Sequence, residues 1–336
     1  MKTRAAALAA RGVFVGTSSW KYEGWMNQLY TPALYKKNAK VSKNSADEGW
    51  FPQLQIESQP KKTAKIDKDE FERDCLNEYA EVFKTVSVDA TYYKFPSQSS
   101  LEALAAQVPT DFQFGFKVTG EVTIKSFSRG KHHGSRAGDS NASFLDADLF
   151  RRGFLQPCES IRNHVGIIMF EFSRFYSNNF KHSGDFVEVL DSFFNSIPNN
   201  WPYGIELRNK DWLTPEYFAC LARHGVAHVF NNWTHMPPVS EQMALANSRT
   251  NNALVAARFL LKPGRNYEDA VKSFRPYART QEVNAEARQA GTKLISEGLQ
   301  TPNNPLRKTY IYVNNRLEGN ALLTIMAMME ALEFVT

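Results

Sequence analysis

Residues 203–212 read YGIELRNKDW. As a strand this stretch alternates: Tyr203, Ile205 and Leu207 share one face, Gly204, Glu206 and Arg208 the other. The first face is apolar. The second carries a carboxylate and a guanidinium two residues apart, and Trp212 follows at once. Neither charge sits on a buried strand without a partner, so the end of this strand is where chemistry is expected.

Downstream, Pro215–His224 reads as a helix with Pro215 in its first turn and Gly225 at its stop. Val226–Phe230 is a sixth strand and Leu254–Leu260 a seventh, with Arg258 inside an apolar run. A helix over about 281–300, a strand Tyr310–Val313 ending in Asn314–Asn315, and a closing helix Gly319–Phe334 complete the chain. Upstream lie Val13–Ser18, then helix Glu70–Lys84 and strand Thr85–Ala90. Phe112–Val118 is the clearest alternation, with Phe112, Phe114 and Phe116 facing away from Gln113, Gly115 and Lys117. A helix over about 148–163 is ended or kinked by Pro157. Val165–Phe170 is a buried-type strand ending at Glu171, and Phe186–Ser196 is helical.

Eight strands, each followed by a helical pattern, predict an α/β fold: a single (β/α)₈ TIM barrel over 1–336. It has insertions after strand one (31–69, mixed charge, several Lys) and strand three (119–147, a polar, mobile loop). A doubly wound open sheet is the alternative. It loses ground because no strand leads into G-x-G-x-x-G or G-x-x-x-x-G-K.

Composition sets the class. Hydrophobic residues at 43% and charged residues at 22% describe a globular chain with a large core, and 24 Phe with 13 Tyr point to aromatic packing between layers. The net charge of +5 permits an anionic partner without the local basic density of a typical nucleic-acid binder. Cys75, Cys158 and Cys220 are odd in number and far apart, which argues against a disulfide framework or zinc site and for a reducing compartment. The N-terminal MKTRAAALAARG is too short for a signal core and leads into a strand, and no apolar run approaches the ~18 residues of a membrane span. A cytoplasmic location, with no membrane partner, is expected.

Several motifs, in order, resemble the YecE-like family, domain of unknown function 72. They are GTSSWKYEGW (16–25) with LYTP (29–32), VSVDATYYKFP (86–96), FQFGFKV (112–118), IELRNKDW (205–212) and YIYVNNRLEGNA (310–321). The resemblance implies a TIM barrel and no established activity. The chain departs from the family pattern at Ser87 and Asp89, where Glu and Asn are usual. It departs again at Asn209, where His is usual, and at Phe259–Leu260, where His-Gly follows the arginine.

In such barrels function sits at the C-terminal ends of the strands. Those ends hold Ser18 and Trp20, Asp89, Lys117, Glu171, Glu206 and Arg208, Asn231 with Trp233, Arg258, and Asn314 with Asn315. Period-two reasoning turns Ser87, Asp89, Gln113, Lys117, Glu206 and Arg208 into the lumen and leaves the direction of Glu171 open. One reading is an anion-binding, acid/base pocket for a small anionic or polar metabolite, a sugar or nucleotide derivative. In it Glu206, Lys117 and Asp89 are catalytic, and Arg208, Arg258, Trp20, Trp212, Asn314 and Glu171 bind substrate. The other reading is a salt-bridge network that plugs the barrel. A non-enzymatic nucleic-acid or phospho-ligand binder using the basic 36–68 and 125–136 segments is the functional alternative.

Glu171 and Glu206, ending neighbouring strands roughly 5 Å apart, invite a weaker glycosidase reading. No cofactor is indicated, and a divalent cation on Asp89, Glu171 and Glu206 has thin support. Cys75 and Cys220 read as core cysteines and His132–His133 as solvated loop residues.

Overall fold

The computed structural model describes residues 1–35, 66–128, 131–300 and 307–334. The lysine-rich 36–65 stretch lies outside them, as do the side chains of His132 and His133. Eight parallel strands close in sequence order. They are β1 (Val13–Thr17), β2 (Thr85–Val88), β3 (Gln113–Lys117), β4 (Val165–Phe172), β5 (Tyr203–Leu207), β6 (Ala227–Asn232), β7 (Leu254–Phe259) and β8 (Lys308–Val313). The (β/α)₈ expectation holds.

Alternation divides the strand residues between two cores. Val13, Val86, Phe114, Phe116, Ile205 and Ile311 belong to the layer between sheet and helices. Phe14, Ile167, Met169, Val229, Ala256, Tyr310 and Tyr312 fill the lumen. The lumen is packed, not porous. Its two tyrosines need room, and glycines make it: a Cβ on Gly115 would stand 2.4 Å from the Tyr312 oxygen, and one on Gly166 2.8 Å from the Tyr310 ring. Tyr312 Oη lies 3.1 Å from Thr85 Oγ1, which gives the buried phenol a partner.

The many phenylalanines form one aromatic layer outside β4 and β5. Phe150, Phe170, Phe193 and Tyr203 meet with centroids 5.0–6.1 Å apart. The helix Lys68–Val82, capped by Asp67, sends Tyr79 to the β1–β2 seam, which pairs in register at Thr17 and Val86. The Tyr79 hydroxyl lies 3.0 Å from the Thr17 amide and from the Thr85 carbonyl, linking the two strands.

Four local expectations are corrected. The N-terminal Ala-rich run is a helix, Lys2–Ala10, with Ala5 and Leu8 buried. β2 stops at Val88, and Asp89 precedes a helical turn, Ala90–Tyr93, that carries both tyrosines. β4 runs two residues further, so Glu171 lies on the strand. Pro157 does not break its helix. A wide turn at Arg151–Leu155, with the Gln156 amide bonded to the Arg151 carbonyl, comes first, and the kink falls later, at Ile161. The polar loop is tied in its described part by Asn141, whose side chain donates to the Glu121 and Ile124 carbonyls.

Candidate functional site at the barrel mouth

The strand register puts six charges on one rim. Glu171 and Glu206 are register partners on β4 and β5, and Arg258 on β7 pairs with Asn231 on β6. Lys117 ends β3, Asp89 follows β2 and Arg208 follows β5. Glu171 Oε2 accepts from Arg258 Nη1 at 3.0 Å and is ion-paired with Lys117 Nζ and Arg208 Nη2, each at 2.8 Å. Glu206 Oε1 accepts from Arg208 Nε at 2.9 Å, and its Oε2 from Arg258 Nη1 at 2.6 Å. Asp89 Oδ1 accepts from Arg258 Nη2 at 3.2 Å and faces Lys117 Nζ at 3.9 Å. Three cations and three carboxylates sum to zero, the condition under which buried charge is tolerable.

Burial grades these residues. The Glu206 and Arg258 side chains are 0% and 2% exposed, whereas Asp89 is 34% exposed. Burial alone would raise the Glu171 carboxyl, but Arg208, Lys117 and Arg258 outweigh it and hold the group well below the usual carboxylate range. Burial alone would lower the two arginines. The carboxylates around them raise both instead, led by Glu206 for Arg258 and by Glu171 for Arg208.

Aromatic rings brace the cations. Lys117 Nζ stands 4.3 Å from the Tyr92 ring centroid, and burial together with Glu171 pushes the Tyr92 phenol up to about 12. The Arg208 guanidinium lies 3.8 Å over Trp233; Trp233 meets Tyr267 at 6.3 Å, and Arg316 covers Tyr267 at 4.6 Å. The chain Arg208–Trp233–Tyr267–Arg316 thus spans the rim from β5 to the loop after β8. Tyr267 and Arg316 escaped the sequence reading. Arg316 was signalled only by its place two residues past Asn314, and Tyr267 by nothing short of the fold.

The other expected site residues are dispersed. Trp20 is 7% exposed, and its carbonyl accepts from the Tyr30 hydroxyl. Trp212 packs among Phe175, Phe186 and Phe180, with centroids at 5.4, 5.7 and 6.2 Å. Asn314 is buried and accepts from the Arg316 amide at 3.0 Å. The Glu171–Glu206 pair does not flank an open bond-cleavage site, because Glu206 has no exposed surface and both residues bind the same two arginines. Of the carboxylate oxygens that would ligate a divalent cation, Asp89 Oδ1, Glu171 Oε2 and both Glu206 oxygens already face Lys117, Arg208 or Arg258.

Beside this network a cleft of about 550 Å³ opens between the loops after β5 and β6, lined by Arg174, Arg208, Lys210, Asp211, His235 and Glu241 among others. A smaller pocket, about 130 Å³, shares Arg174 and includes Tyr92 and Lys125. Among the described residues neither Arg174 nor Lys210 has an ion-pair partner; Arg174 lies 5.5 Å from the Tyr176 ring. Ser87 Oγ, Asn231 Oδ1 and Arg258 Nε, from inward-facing residues, are buried without a hydrogen-bond partner among the described residues. Buried polar atoms of this kind are ordinarily met by water or ligand.

The family model described as "Protein of unknown function DUF72" matches residues 64–335. No curated protein matches the sequence. The structure is similar to a DUF72 family protein from Enterococcus faecalis V583, at 17% identity and a TM-score of 0.57, covering 96% of this chain and 95% of that one. It is also similar to a DUF72 family protein from Thermotoga maritima MSB8, at 19% identity and a TM-score of 0.55, covering 96% and 99%. At such identities the likeness carries the fold alone. No helix among the described residues is long and apolar enough to cross a membrane. With the family model spanning most of the sequence, and the closed barrel and ordered motifs agreeing with it, the chain belongs to the DUF72 family.

Proposed function

We propose that the protein is an enzyme acting on a small anionic or polar metabolite, a sugar or nucleotide derivative, at the C-terminal mouth of the barrel. The supporting observation is the position of Arg208, which belongs to both the charge network and the cleft. Glu206 and Glu171 fix its guanidinium from within and Trp233 from one face, so its orientation is set before a ligand arrives. Arg174 and Lys210, on the same cleft and with no ion-pair partner among the described residues, supply the charge that an incoming phosphate or carboxylate neutralises.

The burial gradient divides the roles. Asp89 is the most exposed carboxylate of the six-residue network and takes or gives the proton, with Lys117 beside it. Glu206 and Arg258, sealed from solvent, are positioning residues.

The test is binding of a panel of phosphorylated sugars, nucleoside monophosphates, inorganic phosphate and a short DNA duplex to wild type and to Arg174→Ala/Lys210→Ala. A panel compound bound by wild type and weakened about tenfold or more in the variant supports the reading, each lost charged hydrogen bond being worth roughly 1.5–3 kcal/mol. No bound compound, or equal affinity in both proteins, overturns it. Binding of the duplex alone, with a steep salt dependence, transfers the site to nucleic acid.

A further inference from the structure

Away from the mouth, three potential metal ligands converge between two neighbouring helices. Asp191 lies on the helix Ser183–Ser196 and Cys220 on the helix Pro215–Arg223; His224 is the residue that ends the latter. Cys220 and His224 are four apart and so share a helix face. One ligand atom from each of the three, a carboxylate oxygen, the thiol sulfur and a ring nitrogen, all lie within 4.8 Å of one another. Asp191 Oδ1 is 2.7 Å from His224 Nε2 and 3.9 Å from Cys220 Sγ.

We propose that Asp191, Cys220 and His224 form a zinc-type divalent cation site that braces these two helices. Tetrahedral zinc with Zn–S of about 2.3 Å and Zn–N or Zn–O of about 2.0–2.1 Å sets its ligand atoms roughly 3.3–3.6 Å apart. The separations from Asp191 Oδ1, 2.7 Å to His224 Nε2 and 3.9 Å to Cys220 Sγ, straddle that range, and the three ligand atoms already lie within 4.8 Å of one another. The donor set, one thiolate, one imidazole and one carboxylate, suits zinc over calcium or magnesium. On binding, the Cys220 proton leaves to solvent and the thiolate pair enters the metal's coordination shell. His224 offers its Nε2 lone pair and carries its proton on Nδ1.

A cavity borders the cluster on its His224 side. His224 and Arg223 line this cavity, of about 310 Å³, with Asn195, Asn199 and Tyr203. Arg223 Nη2 contacts Asp191 Oδ1 at 2.7 Å, and its side chain is 62% exposed. It therefore supplies, without metal, the positive charge that the cation brings, and it can swing into solvent when displaced. The site is remote from the charge network and rests on none of its chemistry.

Cobalt(II) titration of the full chain reads the site directly. The expected result is a thiolate-to-cobalt charge-transfer band with visible bands of tetrahedral intensity, removed by zinc. Both are lost in Cys220→Ser and in His224→Gln and kept in Cys75→Ser and Cys158→Ser. Arg223→Gln binds roughly two- to fivefold tighter, the effect of removing one partly exposed competing ion pair. A titration without the charge-transfer band, or a band that survives in Cys220→Ser, overturns the proposal. Should Cys220→Ser fail to fold, unchanged affinity in Arg223→Gln together with an unchanged band in His224→Gln overturns it equally.

Discussion

Arg258→Gln is the most informative perturbation of the rim. The guanidinium is 2% exposed, and its two terminal nitrogens reach Glu171, Glu206 and Asp89 at 3.0, 2.6 and 3.2 Å. Its loss turns a neutral set of six charges into one with an excess negative charge, and Glu206, with no exposed surface, loses the donor on Oε2. Leaving a buried charge without its partner costs about 3–5 kcal/mol. Urea denaturation at neutral pH should register that loss. The double variant Glu206→Gln/Arg258→Gln, again neutral, should recover most of it, giving a coupling energy of at least 1 kcal/mol.

The pH dependence has a definite sign. Glu171 titrates below its usual range in the fold, so its stabilising contribution is complete above the unfolded value near 4.3 and lost only as pH falls through the depressed one. In Arg258→Gln, Glu171 loses one of the three cations holding its carboxyl down, and its protonation relieves the imbalance at higher pH. The gap between variant and wild type should narrow below about pH 5. A destabilisation under about 1 kcal/mol, or a double variant as unstable as the sum of the singles, refutes the buried-network account.

Gly115→Ala should cost about 1–3 kcal/mol by overpacking the lumen, because the new Cβ would meet Tyr312 Oη at 2.4 Å; Tyr312→Phe in the same background should recover part of it. His228, buried and held neutral with its pKa lowered from 6.5 to about 4 by burial, makes the unfolded chain the better proton acceptor between those values. Stability should therefore fall by roughly 3 kcal/mol between about pH 6.5 and 4, and His228→Leu should flatten that slope. Trp212→Ala should lower the denaturation midpoint, at a cost of about 3 kcal/mol, without altering ligand affinity. Trp233→Ala, which removes the ring under Arg208, should instead weaken a bound panel compound by roughly 2- to 30-fold, the worth of a cation–π contact. Equal effects of the two Trp substitutions on affinity would dissolve the distinction between packing and pocket.

The rim was legible from the chain because parity is a local rule. Gln113, Gly115 and Lys117 alternate against three phenylalanines, and that fixes their direction without knowledge of any partner. β5 came out with its expected bounds for the same reason. Beyond a strand end the rule lapses. Trp212 has no pleat to orient it, and it turned into the aromatic cluster at Phe175 instead of the cleft. Asp89 was placed on a strand, whereas the backbone turns helical at the next residue. The N-terminal helix was missed because an Ala-rich run has no apolar period to read. Which charges satisfy which was beyond reach, since Arg258 meets Asp89 across 169 residues of sequence and only through closure of the barrel.

The lumen grades from apolar filling to a charged rim, and that gradient joins a plug to an active site. Toward the other end the barrel is filled by Phe14, Ile167, Met169, Val229 and Tyr310, so this chain closes a lumen with apolar and aromatic side chains where only closure is required. Replacing a buried ion network by well-packed hydrophobic residues is commonly neutral or stabilising, so stability gives no reason to gather six charges at the C-terminal rim. What such a network supplies is rigidity of orientation. Glu171 and Glu206 pin Arg208 from beneath and Trp233 covers one of its faces. Its remaining surface is offered to a cleft where Arg174 and Lys210 have no ion-pair partner among the described residues. A self-satisfied core of charge that fixes an arginine on the wall of a cleft is the arrangement expected of a preorganised electrostatic site. A loop-borne arginine would have to be ordered by each ligand it met. The two accounts separate in Glu206→Gln/Arg258→Gln: if the network serves only to close the barrel, this neutral pair should retain both stability and ligand affinity, whereas loss of affinity at retained stability assigns the network to function.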